Sequence, residues 1–299
     1  MTSIVLIFAP KRSGHHAFIN SLMSGNEEPI LFLNNPPLSA KSWFPRQYIV
    51  ARSELRLQCN RSFADSFSAV AAAQLSNGLF WFPDVPAKPA LRQFLVKQAG
   101  ATLLVNFEDC LPDSAEVQAF CSLLEEVFPT AEFSRLHFMR DPRNLIASRL
   151  VRTPFYQVDD KGEVSMDESD VDSGSQRGQK ILQQLRDIVE ANMEMSLSEV
   201  DSSLYRIDYA SWLSDESYRA QHDFAKILNI NIVEKAETMH GKGSSFSTSS
   251  ENRSLSGYLE RYKKFDGTPI YDDLIASLEP MIGSYQDQRM TGVAKAALG

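Results

Sequence analysis

The chain has 299 residues and a mass of 33.6 kDa, with 43% hydrophobic and 23% charged residues, which excludes a disordered, collagen-like or coiled-coil protein. Thirty basic against 38 acidic side chains leave a formal net charge of −8 and a pI of about 5.2, which excludes a general nucleic-acid binder. Three scattered cysteines, Cys59, Cys110 and Cys121, form neither a disulfide framework nor a zinc site, and read as small buried hydrophobes in a reducing cytosol.

The first element is the apolar run Ser3–Phe8, a strand too short to span a membrane. Lys11 and Arg12 follow this run instead of preceding it, so it is no secretory signal. The glycosylation patterns at Asn60 and Asn252 therefore read as unused, and the expected location is cytoplasmic. His15–Met23 places Phe18, Ile19, Leu22 and Met23 at helical spacing. Ile30–Leu33 predicts a strand, Ser62–Leu75 and Leu91–Gln98 predict helices, and Thr102–Phe107 a buried strand followed by a helix capped from Asp113. Phe133–Met139 is the next strand, and Asp141-Pro142 opens a helix directly after it. Asp159–Asp172 holds seven acids against Lys161 alone. With almost no large apolar residue, the stretch at about 156–178 reads as a solvated loop or lid. Arg177–Leu197 is a long amphipathic helix, Leu204–Ile207 a strand, and Trp212–Leu228 helical.

Strands alternating with helices predict an α/β fold: a three-layer, P-loop-like, doubly wound parallel sheet flanked by helices. We expect a single domain over residues 1–299. In such sheets ligands sit at the carboxyl ends of strands, so the strand-to-helix turns are the places to search.

Two turns carry chemistry. In the first, Ala9-Pro10-Lys11-Arg12-Ser13-Gly14-His15-His16-Ala17 joins a strand to a helix. Unpaired amides and the positive helix end attract a phosphate there. Gly14 permits close approach, Lys11 or Arg12 adds charge and Ser13 a hydroxyl. A Walker A loop is excluded, because its first glycine and its Lys-Ser/Thr pair are missing. In the second turn, Asp141 caps a helix, Pro142 fits its first position, and Arg140 and Ser148 are placed to clamp a second phosphate. Glu108 ends the strand before Asp109, at the same expected sheet edge. His137, inside a strand, reads as a core or sheet-face residue. Trp43, Phe44, Trp81 and Phe82 read either as core or as an aromatic wall for an acceptor.

The two turns together resemble the PAPS-dependent sulfotransferase family (PAPS is 3′-phosphoadenosine 5′-phosphosulfate). Arg12-Ser13-Gly14-His15-His16 is similar to the family's 5′-phosphosulfate loop, with histidines where hydroxyl residues usually stand. Arg140 to Ser148 has the spacing of its 3′-phosphate motif. The segment from Arg206 through Tyr209 to Trp212 resembles the piece beside the adenine, and Lys242, Gly243, Ser244 and Ser245, with Arg261-Tyr262, the segment that closes over the 3′-phosphate. The resemblance implies sulfuryl transfer from PAPS to a hydroxyl or amine of an acceptor such as a carbohydrate or small alcohol, with PAP as product and no metal. It implies Arg12, with Lys11 as rival, as the group that stabilises the leaving phosphate. The general base is Glu108, then His15 or His16, then Asp109. A P-loop nucleotide kinase or hydrolase, or a non-catalytic nucleotide-binding protein on the same fold, are the alternatives. Neither acceptor nor oligomeric state is legible.

Overall fold

The computed structural model describes residues 3–11, 13–23, 28–34, 36, 56–59, 74–76, 79–81, 100–159, 163–166, 175–197, 204–221 and 259–296. The strands are β1 (Ser3–Ala9), β2 (Ile30–Asn34), β3 (Arg56–Cys59), β4 (Gln74–Ser76), β5 (Leu79–Trp81), β6 (Thr102–Glu108), β7 (Glu132–Met139), β8 (Tyr156–Val158), β9 (Val164–Met166) and β10 (Leu204–Asp208). The α-helices are α1 (His15–Met23), α2 (Ala115–Val127), α3 (Pro142–Leu150), α4 (Gln176–Leu197), α5 (Tyr209–Ser214), α6 (Glu216–Gln221) and α7 (Pro269–Ala296), with a 3-10 turn at Arg261–Lys264.

Inter-residue contacts divide the chain into two compact units: Met1–Phe138 with Asp201–Ile207 and Ser217–Gly241, and Met139–Val200 with Asp208–Glu216 and Lys242–Gly299. The first contains the sheet, ordered β10-β7-β1-β6-β2-β3-β5-β4. Its centre is parallel over five strands. β1 pairs with β6 and β7, and β6 with β2, all in parallel. β3, β5 and β4 extend the β2 edge in antiparallel fashion.

β1 is apolar throughout because both its faces are covered. Ile4, Val5, Leu6, Ile7 and Phe8 are buried, each worth about 1.5–3 kcal/mol relative to exposure. The covering helices lie on opposite faces. Phe8 is in register with Phe107 and with His137, so these three share a face. Phe107 stacks on Phe8 at 5.3 Å and meets Phe120 of α2 edge-on at 5.9 Å. Phe138, one residue on from His137, points to the other face, where it packs on Phe18 of α1 at 5.5 Å. Helix–sheet–helix layering of the expected doubly wound kind follows. His137 is fully buried, as expected of a sheet-face residue.

The second unit is mainly helical. Its core joins Leu145, Ile146 and Leu150 of α3 with Val189 and Met193 of α4 and with Leu274, Leu278 and Ile282 of α7. Asp141 caps α3, its Oδ1 accepting the Asn144 N–H at 3.0 Å, with Pro142 in the first turn, as the sequence predicts.

Several boundaries differ from expectation. The cap of α2 is Ser114, whose hydroxyl accepts the Val117 N–H at 3.4 Å, and not Asp113. The region at 156–178 contains an antiparallel hairpin of β8 and β9. Reading its charge alone overlooked the alternation of Tyr156 and Val158 with Val164 and Met166. Tyr156 is buried, meets Phe265 edge-on at 5.0 Å and shares a 2.8 Å hydrogen bond with Thr268. The helix expected over 212–228 begins at Tyr209, ends at Ser214 and gives way to α6 after Asp215, whose backbone is extended, while 222–228 lie outside the described residues. Gln74 and Leu75, expected in a helix, lie in β4. The rest of 62–75, and all of 91–98, lie outside the described residues. So do Asn60, Asn252, Trp43, Phe44 and Phe82. Trp81 lies in β5, with no side-chain description. Among the described residues no helix is long and apolar enough to cross a membrane.

Candidate active site

The carboxyl ends of β1, β6 and β7 lie along one edge, because the three strands run parallel. β1 leads through Pro10, Lys11, Ser13 and Gly14 into α1. Ser13 N–H donates to the Pro10 carbonyl at 3.0 Å and Ala17 N–H to the Gly14 carbonyl at 2.9 Å. The Lys11 N–H donates to Asp109 Oδ1 at 2.9 Å. The amides of Gly14, His15 and His16 have no partner among the described residues. Three adjacent donors at a helix start are an arrangement that can bind an anion. Gly14 has φ 93, a left-handed conformation that a side chain would strain. Lys11 is exposed, and the Ser13 hydroxyl is fully buried against His15 Nδ1 at 2.9 Å. Ala17 therefore has no free amide to offer a ligand.

Glu108 stands opposite Ala9 in register, at the end of β6. Its Oε1 lies 3.1 Å from His15 Nε2 and 3.2 Å from His16 Nε2. The His15 side chain is 1% exposed, Glu108 9% and His16 44%, so His16 is the solvent-side member. Asp109 takes a left-handed backbone with φ 59 and donates its N–H to the Ala9 carbonyl at 3.1 Å. With its carboxylate on Lys11 N–H, it fastens the β1–α1 loop to the end of β6. That is an anchoring task, different from the third-choice base of the sequence reading.

The sequence reading missed Asn34 and Asn106. Asn106 is completely buried, its Nδ2 donating to Asn34 Oδ1 at 2.7 Å and lying 3.1 Å from His15 Nε2. The signal was there: an asparagine inside each of two apolar strands. A buried amide needs partners, and these meet on the face that α1 covers.

This network sets the state of His15. Its Nδ1 shares a hydrogen bond with Ser13 Oγ, and its Nε2 faces both the Glu108 carboxylate and Asn106 Nδ2, so either tautomer leaves both ring nitrogens with a partner. Burial, and then the neighbouring His16, lower the His15 pKa to about 4, against the opposing pull of Glu108. The unfolded chain thus binds a proton between about pH 6.5 and pH 4 that the folded chain refuses, and stability is lost as the pH falls through this window. Urea unfolding is expected to show about 2 kcal/mol less stability from His15 at pH 5 than at pH 7.5. A His15→Gln variant should lose this part of the slope; an unchanged slope contradicts the assignment.

The residues that the sequence assigns to a second phosphate, Arg140 and Ser148, lie in the other compact unit. Arg140, directly after β7, is 4% exposed and sits over the Tyr209 ring at 5.5 Å, a cation–π contact. The fold thus joins two residues assigned to the donor nucleotide from separate motifs. Tyr209 is held by the cap of α5, where Asp208 Oδ1 accepts the Ser211 N–H at 2.7 Å, and stacks on Trp212 at 6.3 Å. Ser148, on α3, is fully buried, and its hydroxyl has no partner among the described residues. An unpaired buried hydroxyl is costly, and an anion would satisfy it. Asn144 of the same helix donates its side-chain amide to the Leu259 carbonyl, docking the segment that leads into buried Arg261.

Arg12, Lys242, Gly243, Ser244 and Ser245 lie outside the described residues. Cys110 and Cys121 are free thiols, pushed up in pKa by burial. Their ordinary protonated state is consistent with the packing reading.

No model of a known protein family matches the sequence, and no curated protein matches it. Among solved structures the chain is similar to the sulfotransferase domain from the curacin biosynthetic pathway, at 12% identity over 93% of this chain and 98% of that one, with a TM-score of 0.39. It is also similar to the sulfotransferase domain from the Synechococcus olefin synthase, at 10% identity over 93% and 94% of the two chains and a TM-score of 0.47. A third similar structure is the sulfotransferase STF1 from Mycobacterium tuberculosis, at 12% identity over 88% and 76%, with a TM-score of 0.36.

Proposed function

We propose that the chain is a PAPS-dependent sulfotransferase, passing the sulfuryl group of PAPS to a hydroxyl or amine of a carbohydrate or small alcohol in the cytoplasm. The observation that carries this reading is the β1–α1 junction. It sets three amides without a partner among the described residues beside a carboxylate and two imidazoles, in a loop that lacks the Walker Lys-Ser/Thr pair. That combination suits transfer from a charged donor to a neutral acceptor whose proton must be removed. It does not suit magnesium-dependent phosphoryl transfer, for which the Walker loop supplies lysine and a magnesium-binding hydroxyl.

In this reading the cradle of Gly14, His15 and His16, with Lys11 and Arg12, holds the 5′-phosphosulfate and stabilises the charge that grows on the leaving phosphate. Arg140 and Ser148 take the 3′-phosphate, and Tyr209 the adenine. Lys242 to Ser245 close over the same phosphate. The acceptor oxygen attacks sulfur in line as the bond to the 5′-phosphate breaks. Its proton passes to Glu108 Oε1, which lies within hydrogen-bond distance of His15 Nε2 and His16 Nε2. His16 steadies the carboxylate from the solvent side.

The test is thermal stabilisation by PAP, 5′-AMP and Mg-ATP. A saturating ligand at a hundred times its Kd adds about 2.7 kcal/mol, so PAP is expected to raise the melting temperature clearly above AMP. PAP no better than AMP removes the 3′-phosphate clamp. Mg-ATP above PAP revives the kinase reading.

A further inference from the structure

We propose that His15 Nε2, His16 Nε2 and Glu108 Oε1 form a binding site for one divalent transition-metal ion of the zinc type. The three donor atoms lie within 4.8 Å of one another. Zinc with donors at about 2.0–2.1 Å holds them about 3.3 Å apart when tetrahedral. The separations from Glu108 Oε1, 3.1 and 3.2 Å, need only a few tenths of an ångström of relaxation.

The arrangement around the donors supplies the second argument. Glu108 Oε1 lies 3.1 and 3.2 Å from the two imidazole Nε2 atoms, so all three donors face one point that a cation could occupy. A metal ion takes each imidazole in its neutral form. With Nε2 of His15 on the metal, the ring proton sits on Nδ1 and is donated to Ser13 Oγ, 2.9 Å away, and Ser13 is then the outer group that fixes the tautomer of a ligating histidine.

The donor set chooses the class of ion. Two imidazoles and one carboxylate suit zinc and its first-row neighbours, whereas magnesium and calcium prefer oxygen alone. The fourth position is open. One consequence rests on the proposed function: a metal here occupies the carboxylate that receives the acceptor proton, so zinc should inhibit transfer.

Calorimetric titration of the metal-stripped full chain with zinc chloride, with no nucleotide present, tests the site. One saturable site per chain is expected, and Glu108→Gln and His16→Ala should each weaken it at least about tenfold. The first change is isosteric and the second falls on a part-exposed side chain; melting curves check that both variants fold. No saturable binding, or affinity unchanged in both variants, overturns the proposal. PAP stabilisation without zinc binding removes the metal site alone, and zinc binding without PAP stabilisation removes the transfer reading alone.

Discussion

Replacing Glu108 by glutamine is expected to lower the rate of sulfuryl transfer by about 10²–10⁴-fold, the usual contribution of a positioned general base. PAP affinity should stay close to that of the wild type. The side chain ends β6, 9% exposed, with Oε1 within 3.1–3.2 Å of both imidazoles. Glutamine keeps the shape but cannot accept the acceptor's proton. A companion His16→Ala variant separates the two candidate bases. His16 is the exposed member of the pair, whereas His15 has both ring nitrogens engaged inside the protein. If Glu108→Gln is inactive and His16→Ala keeps most of its rate, the carboxylate is the base. If His16→Ala loses as much, the two act as a unit. A Glu108→Gln enzyme with unchanged turnover removes the mechanism.

Arg140→Ala is expected to weaken PAP binding about 30- to 1,000-fold while changing 5′-AMP binding less than about tenfold. Charge-assisted contacts of a guanidinium to a phosphate are worth about 2–4 kcal/mol together, and each 1.4 kcal/mol is about tenfold in affinity. Arg140 is buried over Tyr209, so its removal also costs packing. That loss acts on both nucleotides alike, and the ratio of the two affinities therefore isolates the 3′-phosphate. Arg140→Lys keeps the charge without the fork and should fall between. Equal losses for PAP and AMP, measured by calorimetry, sink the assignment.

How much of this was legible beforehand depended on how far apart the partners stand in the chain. β1, α1 and β6 were readable almost to the residue, because an unbroken apolar run between turn residues is a local signal. The cap at Asp141-Pro142 was equally local, needing only the Asn144 amide three residues on. Arg140 and Ser148 were singled out by their spacing across the β7–α3 junction. The network of Asn34, Asn106 and His15 was not found, since its members come from three elements brought together by the β2–β6–β1 order of the sheet. The antiparallel strands β3, β4 and β5 were missed for a related reason: their pairing is decided by the β2 edge they join. The hairpin of β8 and β9 was masked by the surrounding acids.

The sequence alone determined the layered α/β arrangement, the strand–loop–helix junction at the first turn and the excess acidity after α3, because each rests on neighbours along the chain. Tertiary structure alone decided which groups share the carboxyl edge of the sheet. Parallel pairing in register sets Glu108 beside Ala9 and so within reach of two histidines more than 90 residues away. It also decided the charge state of His15, since burial and not residue type keeps that ring neutral. The net charge of −8 says nothing of this, because a site's chemistry is set by the few groups within hydrogen-bond reach and by the water excluded around them.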